Sequence, residues 1–221
     1  MIPSFLFPLL SFLISGSAFG YGAVRLFRKG RPLYFQLLVC AAGCFALKAL
    51  SETVTLLCGG STDTYTVGMF GVFGCNFFLL SANYGTLDKI VDDGSTPNRR
   101  AKLFSVAAPA VMLVLAVLVF LAWKSRNVFC AEMWLLMLFP ALPASYFNLK
   151  HILLPTDPFE FLRCTRPGTI ASLAFYLITA AYMICSAFSG VTVCGILFVL
   201  MSLAAFALSL CAVKEEKKWG I

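Results

Sequence analysis

The chain has 221 residues, of which 60% are apolar, 14% aromatic and only 12% charged, with a formal net charge of +7. Soluble domains carry roughly a quarter charged residues and roughly half apolar ones, so a water-soluble globule is excluded, and a mean hydropathy of +0.89 places the chain in a bilayer. The separators between its apolar stretches are too short to fold alone, so whatever the protein does happens within the membrane, at its two surfaces, or through a partner.

A helix crosses a bilayer with roughly 20 mostly apolar residues, because a rise of 1.5 Å per residue must cover about 30 Å of hydrocarbon. Seven stretches meet that length, and they predict an all-α, polytopic transmembrane bundle forming one domain over 1–221. The first, 2–26, lacks the basic start of a cleaved leader and reads as a retained span. Its Gly16 and Gly20 form a GxxxG step, which predicts a tight contact inside the bundle, with a homodimer seam as the alternative. The second, 33–58, follows RKGRP and carries Lys48 and Glu52 in its apolar body. The third, 67–91, has Gly68, Gly71 and Gly74 along it and ends in a polar run, SANYGTLDKIVDDG. The fourth is 103–123 and the fifth 128–148, where Pro140 and Pro143 should kink the helix. The segment 150–166, with Pro155 and Pro158, should break from helix and lie along the interface; spans six and seven are 168–188 and 191–213.

Lysine and arginine fall almost entirely beside alternate loops. Fourteen of the 17 flank the first, third and fifth loops and the tail; Lys124 and Arg126 stand opposite, and Lys48 lies within a span. Positive loops stay inside, so the amino terminus should be outside and the carboxy terminus inside, as in a multi-pass protein of the plasma or inner membrane. Basic inner loops meet anionic inner-leaflet headgroups, which makes the lipid bilayer the expected partner and leaves +7 no need of nucleic acid. The pattern R-x-x-R-P occurs at Arg28–Pro32 and Arg163–Pro167, each before a span. A proline suits the first turn of a helix, and a 3+1+3 arrangement (1–91, 103–123, 128–213) is one way to read the spacing; arginine-rich inner loops and proline at helix starts are the other.

Nine cysteines occur without a CxxC pair, beside one histidine, so neither a metal nor any other cofactor is expected. Cys58, Cys75, Cys130, Cys185 and Cys194 all fall toward the outer half, which leaves room for one outer disulfide.

The informative residues are the polar ones within apolar spans. A lysine at a helix centre costs about 2.5 to 3.5 kcal/mol on insertion scales, so Lys48 needs a partner, and Glu52 follows at i+4 on the same face. By helical rise Lys48 lies about 15 Å, and Glu52 about 9 Å, from the end of span two at Cys58, and Asn76 about 14 Å from the start of span three. Glu132 in span five and Tyr182 in span six belong to the same half. Lys48, Glu52, Asn76, Glu132 and Tyr182 together predict a polar cavity opening outward and able to take a small polar or amphipathic ligand; a structural ion pair that orients the helices is the plainer reading. At the inner end Asn83, Tyr84, Asp88 and Asp92 form a second cluster, whose carboxylates are expected to meet the nearby Lys89, Arg99, Arg100 and Lys102 or a cation. His151 stands apart from any identifiable nucleophile, and no G-x-S-x-G, H-E-x-x-H or phosphate-loop motif provides catalytic residues.

Span seven contains no lysine, which separates the chain from the retinal-binding microbial rhodopsins. The run from Ser51 and Glu52 through TVTLL, Tyr65, Gly68 and Phe70 to Asn76 resembles the acidic-residue-then-aromatic-helix region of membrane lysoplasmalogenases. That resemblance implies a lipid-acting hydrolase of eight spans; here the acidic residue is glutamate rather than aspartate, the family's later histidine is missing, and seven spans are counted. The sequence thus points first to transport or sensing of a small solute. A membrane enzyme using Glu52 or Glu132 as general base, or a non-catalytic subunit of a membrane complex, are the alternatives.

Overall fold

A computed structural model describes residues 5–62, 66–88, 96–154, 160–188 and 190–219; Asp92 and Tyr65 lie outside them. Every regular element among these residues is helical. In chain order they are α1 (Leu6–Leu26), α2 (Leu33–Leu57), α3 (Met69–Leu80) running into a π-helical segment (Ser81–Asp88), α4 (Thr96–Ser105), α5 (Ala107–Lys124), α6 (Val128–Leu138), α7 (Ala141–Leu153), α8 (Glu160–Phe188) and α9 (Val191–Trp219).

Six stretches are long and apolar enough to cross a membrane: Leu6–Leu26, Leu33–Leu57, Arg99–Lys124, Val128–Leu153, Leu162–Phe188 and Thr192–Glu216. The protein is therefore a multi-pass membrane protein. The third predicted stretch differs from the other six, because its α-helix lasts only 12 residues before the chain rewinds into an eight-residue π-helical segment. Large apolar side chains such as Val24, Leu103 and Leu121 project outward around the bundle, each more than half exposed. That surface is costly in water and favourable in lipid.

Helix ends follow local chemistry. Pro32 caps α2 in extended conformation, where its missing N–H costs no hydrogen bond. At the other end of α2, Gly59 takes φ +77°, and the N–H groups of Gly59 and Gly60 donate to Leu56 O and Thr55 O. This is a Schellman stop, which needs a residue tolerating the left-handed region. Asn127 caps α6 by accepting from the Cys130 N–H.

Pro140 separates α6 from α7 within one apolar crossing. Its ring removes the ladder donor that would have met Leu136 O, which accepts from the Phe139 N–H instead; the next carbonyl, Met137 O, accepts from Asn76 Nδ2 at 2.8 Å. The second R-x-x-R-P behaves otherwise than its sequence suggests. Helix α8 begins at Glu160, so Pro167 lies inside it rather than at its start.

Helix α2 is the central element: 61% of its apolar window is buried, against 22% for Arg99–Lys124. It packs against α1, α3 and α9, while α8 lies against α5, α7 and α9. The close approach of α3 to α2 depends on the glycines of α3. A Cβ at Gly71 would sit 2.5 Å from Cys44 O, and at Gly74 2.9 Å from Cys44 Sγ. Gly16 and Gly20 are not used in this way: a Cβ at Gly20 would meet nothing within 4 Å, and one at Gly16 only Phe12 of its own helix. The expected intrabundle contact at that GxxxG step is not made, since α1 turns Ser11, Ser15, Ala18 and Gly22 inward instead. All nine cysteines are free, so no outer disulfide forms.

Candidate functional site

Two polar sites occupy opposite ends of the bundle, and a buried polar column runs between them. The first lies at the end that carries the α2–α3 and α8–α9 turns. There a cavity of about 340 Å³ opens between the helices, and Glu52, Trp123, Trp134, Tyr182, Ser186 and Phe198 contribute to its wall. Its polar identity comes from α2, whose four-residue step puts Lys48 and Glu52 on one inward face. Lys48 Nζ donates to Glu52 Oε1. The lysine is fully buried and does not reach the cavity, whereas Glu52 lines it.

Aromatic rings complete the ammonium's surroundings. Lys48 Nζ lies 4.4 Å from the ring centre of Phe198 and 5.3 Å from that of Tyr182. Those rings continue as a wall: Tyr182 and Phe198 are 5.6 Å apart, Trp134 and Tyr182 6.4 Å, and Trp123 and Trp134 6.3 Å. Trp123 Nε1 is engaged, donating to Met183 O at 2.8 Å. Trp134 Nε1 is buried and finds no acceptor.

Of the five residues expected at this site, Glu52 and Tyr182 line the cavity, Lys48 sits behind Glu52, and two stand elsewhere. Asn76 is fully buried and bridges to Met137 O. Glu132 is exposed on the outer flank of α6, because that helix buries the stripe Cys130, Trp134 and Met137, and a residue two positions from Cys130 points away from it. The sequence reading missed Trp123, Trp134 and Phe198. They belong to three separate elements, and large aromatic residues in apolar spans carry no signal of which face they occupy.

The second site lies at the end of the π-helical segment. Asp88 Oδ1 accepts from Lys150 Nζ at 2.5 Å and stands 3.6 Å from His151 Nε2. The other ring nitrogen, Nδ1, is 3.4 Å from Asn83 Oδ1, and Asn83 Nδ2 donates back to Leu79 O. Lys150 and His151 are both buried. Asn83 and Asp88 thus come together, while Tyr84 is exposed and packs its ring 5.0 Å from Phe147. Asp88 meets residues of α7, more than sixty positions along the chain, while Lys89 and Asp92 lie outside the described residues. At the same end Arg31 pairs with Glu216, and Arg166 Nη2 donates to Leu154 O at 2.6 Å.

Between these ends α7 presents Ser145 and Asn148, α8 presents Ser172, Tyr176 and Thr179, and α3 presents Asn76, all buried. The Asn148 amide, Tyr176 hydroxyl, Thr179 hydroxyl and Asn76 Oδ1 lack well-formed hydrogen bonds. Buried polar atoms of this kind cost about 1–3 kcal/mol each when unmet, and protein interiors meet them with ordered water. Among the described residues no three His, Cys, Asp or Glu side chains converge as metal ligands would.

No family model matches the chain, and neither a curated protein nor a solved structure matches it.

Proposed function

We propose that the protein is a seven-crossing membrane carrier that takes a small polar or amphipathic solute from the outer side into the cavity beside Glu52. The observation that carries this reading is a carboxylate, anchored from behind by a buried lysine, lining a ligand-sized hollow within a membrane bundle. Ionisable side chains inside a membrane are costly and mark ligand or ion pathways. The seventh crossing is the Met69–Asp88 chain of α3 and its π-helical continuation, which joins the loops so that the basic residues share the inner side.

The polar column favours carriage over sensing. A receptor needs one site and a moving helix, whereas a carrier needs a polar route past the midplane, and Asn76, Asn148, Tyr176 and Thr179 supply one. Its inner end is the Asp88–Lys150–His151–Asn83 cluster. Rearrangement is eased where backbone is irregular, at the Pro140 break and in the π-helical segment.

The test uses engineered cysteines in a protein whose nine native cysteines are replaced, reconstituted into vesicles. A membrane-impermeant maleimide should reach Ser186→Cys from one side, and the same reagent should reach Asn148→Cys from the other side in a fraction of molecules. Labelling at 186 alone identifies a sensor, and no labelling at 186 refutes the solute-binding cavity.

A further inference from the structure

We propose that the solute is a small organic ammonium bearing an oxygen acceptor near its cationic nitrogen, choline and the amino alcohols being the type; this rests on the cavity being a solute site. Four observations specify the ligand's chemistry.

The first is charge. Among the described lining residues Glu52 is the one acidic or basic side chain, and Lys48, its partner, is sealed behind it. Lys48 takes Oε1, which leaves Oε2 to the cavity. An anionic ligand would face that carboxylate with no cation to meet it.

The second is the wall. Trp123, Trp134, Tyr182 and Phe198 form a connected run of rings, with neighbouring centres 5.6 to 6.4 Å apart. The negative face of an aromatic ring attracts a cation, and indole does so best.

The third is that the wall already holds such a group. The Lys48 ammonium lies 4.4 Å from the Phe198 centre and 5.3 Å from that of Tyr182. The protein's own side chain demonstrates that these faces and this carboxylate suit an ammonium, and a ligand would add a second one on the cavity side of Glu52.

The fourth is a donor. Trp134 lines the cavity, and its Nε1, buried beneath that lining, has no acceptor of its own. Indole can only donate, so the ligand must bring an oxygen. A hydroxyl, ether or carboxylate oxygen near the ammonium meets the need, and a bare alkylammonium does not. The cavity, at about 340 Å³, lies at the small end of the roughly 300–1,000 Å³ spanned by ligand pockets, which excludes a whole phospholipid.

The experiment titrates the purified full chain in nanodiscs with three probes, read by tryptophan fluorescence. Choline carries charge and oxygen, 3,3-dimethylbutan-1-ol has the same shape without charge, and tetramethylammonium has the charge without oxygen. Choline should give a saturable change at least tenfold tighter than the neutral alcohol and several-fold tighter than tetramethylammonium. Trp134→Phe should erase the difference between the two cations. Glu52→Gln should abolish the preference for charge, and since the wild-type comparison requires no variant, failure of that protein to fold leaves the outcome decided. Binding of the neutral alcohol as tightly as choline overturns the ammonium assignment while the solute cavity stands. Saturation by none of the three up to about 50 mM, a concentration at which even feeble sites fill, likewise overturns the ammonium assignment, and the solute cavity itself stands or falls on the labelling of Ser186→Cys.

Discussion

Replacing Glu52 by glutamine while leaving Lys48 in place removes the anion from a pair whose lysine has no exposure at all. Loss of one partner of a buried pair costs about 3–5 kcal/mol, because the remaining charge stays desolvated. One feature of this site reduces that figure. The ammonium retains the faces of Phe198 and Tyr182, and cation–π contacts out of water are worth up to about 2 kcal/mol. A net loss of about 2–3 kcal/mol is expected for Glu52→Gln. Lys48→Met should cost less, since the carboxylate left behind borders a cavity that water can enter. The double variant Lys48→Met with Glu52→Gln removes both charges and should return to within about 1 kcal/mol of the wild type, because no unpaired buried charge is left and the new amide borders a cavity that water can enter. Reversible unfolding in mixed micelles by SDS titration, followed by near-ultraviolet circular dichroism, measures all four proteins of the cycle. If Glu52→Gln were as stable as wild type, or if the double variant lost the sum of the single losses, the pair would not be the closed, mutually dependent unit that its burial implies.

The helix contacts and the other ion pairs make further predictions. Gly71→Ala places a methyl group 2.5 Å from Cys44 O, so α3 must shift off α2 at a cost of about 1–3 kcal/mol, seen as a lower midpoint in the same titration. Asp88→Asn and Arg31→Ala each remove an ion pair, with unequal effects. Asp88 meets a buried Lys150 and should cost about 3 kcal/mol, whereas Arg31 is 44% exposed and should cost less than about 1 kcal/mol; equal losses would contradict the burial contrast. Asn127→Ala deletes the cap of α6 and should lower stability by about 1 kcal/mol, with Asn127→Asp retaining most of it.

Several features were legible in the residues alone because they are decided by short-range chemistry. The membrane setting follows from composition, and the helix positions follow from runs of apolar residues between Pro, Gly and charged separators, with Pro32 and Gly59 acting at the boundaries they mark. The Lys48–Glu52 pair was readable because both partners lie on one helix, where four residues fix their separation regardless of the rest of the molecule. Tertiary packing decided the remainder. Helix rotation turned Glu132 outward and Trp134 inward, though they are two residues apart. Packing of α7 against the π-helical segment brought Lys150 and His151 to Asp88 from more than sixty positions away. Apolar spans in lipid look hydrophobic all round, so the period that reveals a soluble helix's inner face is muted, and which residues meet across helices is set by the close fit of small residues such as Gly71 and Gly74 against α2.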